Sequence, residues 1–289
     1  MSTFWKKSGW LGLAVTALLA SLALQILMGV VAMLPGSLLA GVEAGRNGIT
    51  DPVQIQAMVE EKTMEALPWS VLLYHVISLP VFGVWYYFGC GRPKLTNPVK
   101  VLRIRGIADA VMAGFGMCML ANAIAMLLQY QTPAAFENYM EMMESAGMGI
   151  SAVSIIAAVL LAPIGEEILC RGIIMHYCRR MTEGLQNKVT AFWIANVLQA
   201  LIFGIMHGNF VQGTYAFILG MGLGLLQHRY NSLYPAMICH FAVNFLSTFV
   251  MDSLFGWLPE GAVGVAIIGV LGLVVTAAAL RREHQKEQA

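Results

Sequence analysis

Long apolar runs alternate with short charged breaks along the whole chain. A run of about 20 apolar residues is enough to cross a bilayer. Eight such runs fall near 9–34, 67–89, 106–129, 150–178, 188–207, 211–227, 232–251 and 261–280. The run from Gly9 is longer than the about 7–15 residues of a cleavable signal core, so it reads as a retained first span. The C-terminal RREHQKEQA carries no prenylation or retention signal. Between the runs there is no soluble domain and no low-complexity linker. The largest connection is 35–66, where QIQAMVEEKTMEAL predicts a short surface helix. The pattern predicts an all-α polytopic membrane bundle of about eight transmembrane helices.

The charges in the breaks agree with that count. Lys6 and Lys7 precede the first span, and segment 35–66 is mostly acidic. Segment 90–105 holds Arg92, Lys94, Lys100, Arg103 and Arg105 with no acid, and 130–149 holds Glu137, Glu141 and Glu144 with no base. Arg179, Arg180 and Lys188 follow the fourth span, Arg229 the sixth, Asp252 and Glu260 the seventh, Arg281 and Arg282 the eighth. The Lys/Arg excess falls on alternate sides, which places both termini in the cytoplasm. Composition strengthens the membrane assignment: 58% of residues are hydrophobic and 11% charged, about half the charged share of a soluble domain. A net charge of +1 points to no nucleic-acid partner. The five cysteines are scattered with no Cys-x-x-Cys, so they read as small core residues and not as a disulfide frame or zinc knuckle.

The fourth run is interrupted in LLAPIGEEILCRGIIMH by Pro163, Glu166, Glu167 and Arg171. Charge within a membrane segment is costly and marks function. On a helix Glu167 and Arg171 share a face, acid first, the favourable order. Glu166 is turned by about 100° and has no such partner. One acid is thus a candidate ion-pair member and the other a candidate base. The bland alternative is that both only lock helices together. Pro163 should bend the helix, and Gly165 should let another backbone approach. Phe203 and His207 are four apart at the end of the fifth run; His240 and Asn244 are four apart in the seventh. His75 reads as an interhelical hydrogen-bonder, and His176 and His228 as surface residues beside arginines.

A carboxylate and an imidazole together can take a proton from water. A second imidazole and a carboxamide can donate to a developing oxyanion, with more effect in a dry cavity. That combination suits hydrolysis of a peptide bond by activated water. No serine or cysteine nucleophile sits in a motif. A zinc version stays open, with Glu166, His207 and His240 as ligands and water in the fourth position, although no His-Glu-x-x-His occurs.

Glu-Glu-x-x-x-Arg, Phe-x-x-x-His and His-x-x-x-Asn, in this order, resemble the motif set of the CPBP family. That family includes the type II CAAX prenyl proteases and the bacterial Abi or bacteriocin-processing intramembrane proteases. The matching residues are Glu166, Glu167 and Arg171; Phe203 and His207; His240 and Asn244, with Cys170 where an aromatic is usual. The resemblance covers roughly 151–250. It implies a bundle enclosing an intramembrane catalytic cavity, in which Glu166 and His207 activate water and His240 and Asn244 stabilise the oxyanion. Glu167 and Arg171 would orient the site, with Glu167 a further catalytic candidate and Phe203 a supporting residue. It divides the chain into a scaffold of N-terminal helices (1–130), a protease core (131–255) and a last helix with a cytoplasmic tail (256–289). The implied activity is an intramembrane endopeptidase acting on a membrane-embedded or lipidated peptide or protein, in a bacterial plasma membrane. The competing readings are a catalytically silent scaffold or immunity protein of the same fold, and a transporter using buried acids as a relay; the absence of an internal repeat speaks against the latter. One geometric demand follows. From the cytoplasmic ends, at about 1.5 Å per residue, Glu166 lies roughly 20 Å deep, His240 about 14 Å and His207 about 28 Å. The fifth helix must therefore start inside the cytosol or tilt strongly.

Overall fold

The computed structural model describes residues 3–90, 104–145, 151–255 and 261–281. The charges of segment 91–103, together with Glu260 and Arg282, lie outside the described residues. Among the described residues there are helices and no strand. In chain order they are α1 (Thr3–Arg46), α2 (Pro52–Met64), α3 (Leu67–Gly89), α4 (Ile104–Gln131), α5 (Pro133–Ser145), α6 (Ala152–Thr182), α7 (Lys188–Met206), α8 (Phe210–Tyr230), α9 (Tyr234–Phe249), α10 (Met251–Phe255) and α11 (Ala262–Arg281).

Seven of these are long and apolar enough to cross a membrane. The expected seventh span is α9, with 16 residues. At about 1.5 Å per residue it measures about 24 Å, short of a full hydrocarbon thickness. The outer faces are apolar: Ile26, Val30, Leu34 and Leu38 recur at fourfold spacing along α1 and are all exposed, a stripe suited to lipid.

Two connections are more ordered than their sequence suggests. The 35–66 segment is not a loop before a surface helix, because α1 continues through Pro35 to Arg46. The predicted surface helix is α2, started by Asp51 accepting from Val53 N–H at 3.1 Å and by Pro52 in its first turn. It folds back on α1, where a Cβ at Gly36 would stand 2.8 Å from the Lys62 carbonyl oxygen. The acidic 130–149 break is largely helix α5, whose Tyr139 hydroxyl lies 3.3 Å from that of Tyr215 on α8.

The interior divides into two apolar clusters. One joins α1, α3, α6 and α7 through residues such as Phe82, Leu169, Ile173, Ile202 and Phe203. The other joins α4, α8, α9 and α11 through Met117, Met119, Leu223, Leu226 and Ile268. Tyr215 on α8 packs against both. The polar residues picked out above gather between them. All five cysteines are buried and free, as small core residues should be.

The interruption in the fourth span takes a specific form. α6 is α-helical at Ala152–Ile155, π-helical at Ile156–Leu161, α-helical at Ala162–Glu167, π-helical again at Ile168–Ile174 and α-helical from Met175. Pro163 has no N–H to continue the ladder, and it is the second residue after the first wide segment. Gly165 does not show the expected close backbone: the three atoms nearest to an added Cβ all belong to side chains. A Cβ there would meet the side chains of His75 at 3.5 Å and Ser78 at 3.7 Å.

Candidate active site

Each site residue is placed by its own helix. Glu166 and Glu167 sit in the single α-helical turn between the two π segments of α6. Glu167 is fully buried and accepts from Arg171 Nη1 at 2.8 Å, so the pairing inferred from spacing is present. The same oxygen, Oε1, also accepts from His240 Nδ1 at 2.9 Å. Arg171 reaches across to α8, donating from Nη2 to the Gly220 carbonyl at 3.3 Å, and its guanidinium lies 4.3 Å over the Phe203 ring. Phe203 is thus a spacer. Its ring meets His207 edge-on at 4.9 Å and His240 edge-on at 5.9 Å.

His207 caps α7. Gly208 follows in the left-handed region (φ 69°), a usual end for a helix. Asn209 then starts α8, accepting from Gln212 N–H at 2.7 Å and donating to the His207 carbonyl at 3.1 Å. Two glycines allow α7 and α8 to close behind this turn: a Cβ at Gly204 would stand 2.6 Å from the Gly213 carbonyl oxygen. His207 Nδ1 is 2.8 Å from the Phe203 carbonyl oxygen. A carbonyl only accepts, so Nδ1 carries the proton and a neutral His207 leaves its Nε2 lone pair open.

His240 is held from the other side. Its Nδ1 donates to Glu167, and its Nε2 lies 3.8 Å from Glu166 Oε2. Asn244, one turn on, donates from Nδ2 to the Ala158 carbonyl in the first π segment at 2.8 Å, which leaves it one further N–H.

These groups surround two adjoining chambers. The first, about 240 Å3, is lined by Glu166, Phe203, His207, His240 and Asn244, with Tyr139, Tyr215 and Asn122 opposite. The second, about 320 Å3, is lined by Gln25, Tyr74, Met142, Met143 and Met206. Val71, His75, Glu166, His207 and Gln212 line both. Glu166, His207 and His240 line one chamber despite their unequal distances from the ends of α6, α7 and α9.

Glu167 and Arg171 do not line either chamber; they hold His240 from behind. Cys170 is fully buried with Sγ 3.6 Å from Met206 Sδ, so the residue that replaces the usual aromatic packs against the chamber wall. No three His, Cys, Asp or Glu side chains among the described residues form a group that could hold a metal ion, Glu166, His207 and His240 included. His75, read from sequence as a bland hydrogen-bonder, lines both chambers. The available signal was its spacing with Ser78, three residues on, which puts two polar groups on one face of a largely apolar helix.

Residues 149–246 match the family model described as type II CAAX prenyl endopeptidase, Rce1-like. Over that segment the chain is similar to the type II CAAX prenyl endopeptidases, which supports a CPBP/CAAX intramembrane protease family. The matched segment runs from just before α6 to the last turn of α9 and so contains all seven residues of the three motifs. Neither the curated proteins nor the solved structures gave a match. The seven apolar helices, together with the similarity to a family of intramembrane proteases, support an integral membrane protein.

Proposed function

We propose that this protein is a CAAX-type protease, hydrolysing a peptide bond of a membrane-embedded or lipidated substrate by water activated between Glu166 and His207. The observation that carries the proposal is the convergence of Glu166, His207, His240 and Asn244 on one chamber inside the bundle. Water bound between the Glu166 carboxylate and His207 Nε2 has two acceptors for its protons. Its oxygen attacks the scissile carbonyl carbon while one proton passes to the acceptor pair. The carbonyl becomes an oxyanion facing Asn244 and His240. For His240 to donate from Nε2 it must carry both ring protons, because Nδ1 is committed to Glu167. When the tetrahedral intermediate collapses, the C–N bond breaks and the held proton goes to the leaving amine. Glu167 and Arg171 act through His240 as positioning residues.

The chambers sit between apolar helices, which suits a substrate that arrives from the membrane. A prenylated CAAX peptide is one member of that class, and membrane peptides matured in a bacterial plasma membrane are another. The alternating Lys/Arg excess supports both termini in the cytoplasm.

The test is Glu166→Ala and His207→Ala in the native host, with proteomics of small membrane peptides. Loss of the same cleavage products in both variants is the expected result. Products unchanged in both would overturn the protease reading and leave the scaffold reading.

A further inference from the structure

The chamber walls hold one imidazole that the proposed reaction does not use. His75 on α3 is 4% exposed and lies where the two chambers meet, beside Glu166, His207 and Gln212. Its ring is fixed in place: Tyr74 packs edge-on at 4.9 Å, and Gly165 leaves just enough room that a Cβ there would stand 3.5 Å from Nδ1. Ser78, the nearest hydroxyl on the same helix, donates to the His75 backbone carbonyl at 3.3 Å and not to the ring. The other two imidazoles are each held through one nitrogen, His207 by Phe203 and His240 by Glu167. The His75 ring has no hydrogen bond to any described residue, and its Nδ1 is enclosed without a partner.

That environment selects a tautomer. A neutral imidazole carries one N–H and one lone pair. Enclosing an N–H without a partner costs about 1–3 kcal/mol, and an orphaned acceptor is the more tolerated of the two. The proton therefore belongs on Nε2, the nitrogen that is not enclosed, and the ring offers a donor to the chambers. Glu166 is near enough to interact electrostatically, yet no hydrogen bond joins it to His75, so the donor is free for whatever enters.

We infer that His75 is a substrate-binding residue, donating from Nε2 to a backbone carbonyl oxygen of the bound peptide where its chain passes between the chambers. Within a membrane-spanning bundle, each carbonyl of an entering peptide needs a donor. Any peptide placed at Glu166 and His207 passes His75, because the three residues wall the same junction. The inference rests on the protease reading.

The test uses the full chain with three variants. H75F keeps a ring and removes the donor; H75Q restores an N–H at similar reach; E166Q is the control. New peptide termini made by wild type and not by E166Q define a cleaved sequence, which is then synthesised and assayed with the chain in phosphatidylglycerol–phosphatidylethanolamine liposomes. H75F should raise KM about tenfold with kcat within about threefold, the pattern of a lost binding contact. H75Q should recover most of that loss. An unchanged KM in H75F overturns the inference, as does equal damage by H75F and H75Q with lowered thermal stability. Identical termini from wild type and E166Q would instead overturn the protease reading. Nitrogen-15 histidine NMR of the unliganded chain then tests His75 by itself: the Nε2–H tautomer is expected, and Nδ1–H overturns the assignment.

Discussion

Arg171→Met isolates the buried charge pair behind the site. Methionine keeps a long apolar side chain in the space of the guanidinium stem and removes the charge. Glu167 would then remain fully buried with only His240 Nδ1 against Oε1, and its Oε2 already has no hydrogen-bond partner. Removing one member of a buried pair costs about 3–5 kcal/mol, because the other charge is stranded. At about 2–4 °C per kcal/mol for a large domain, the midpoint of thermal unfolding should fall by on the order of 10 °C. The double variant Glu167→Gln/Arg171→Met strands no charge: the Gln carbonyl oxygen still accepts from His240 Nδ1, and the amide nitrogen takes the unpartnered Oε2 position at a smaller cost of about 1–3 kcal/mol. Its midpoint should return part of the way to wild type. The assay is tryptophan fluorescence of the full chain in one detergent, with six tryptophans as reporters. Activity separates the roles, since the double variant should be folded yet slowed by up to about 100-fold, because His240 has lost its anionic support. A fall of less than about 2 °C in the single variant, or a double variant no more stable than the single, would refute the reasoning.

Gly204→Ala should be disproportionately harmful for one methyl group, since its Cβ would meet the Gly213 carbonyl oxygen at 2.6 Å. Overpacking of this kind costs about 1–3 kcal/mol, and separating α7 from α8 would shift His207; a lowered unfolding midpoint with lowered activity is expected, and wild-type values in both would show that the helices yield freely. Prolonged dialysis against a chelator should leave cleavage unchanged, because no three His, Cys, Asp or Glu side chains among the described residues are grouped so as to hold a metal ion. Activity lost to chelation and restored by zinc would refute the water mechanism as drawn.

Much of the site was readable because helical spacing is rigid. Four residues bring a side chain back to the same face, so Glu167–Arg171, Phe203–His207 and His240–Asn244 each declared a shared surface before any helix was packed. The cost of polar groups in apolar runs marked those same helices. The bundle class, and the separation of Glu166 from its paired neighbour, follow from the same two facts. The long-range partners were not readable. That His240 docks on Glu167, that Asn244 donates to Ala158 in a π segment, and that Phe203 spaces two imidazoles from one guanidinium depend on crossing positions set by side-chain volume over many contacts. His75 shows the limit most clearly. Its own helix marks it only as one polar residue in an apolar run, and the junction of the two chambers that gives it a task is made by three other helices. The sequence alone determined which faces carry chemistry, because periodicity is a local property of the backbone. The tertiary structure alone decided which faces meet, because close packing is not local.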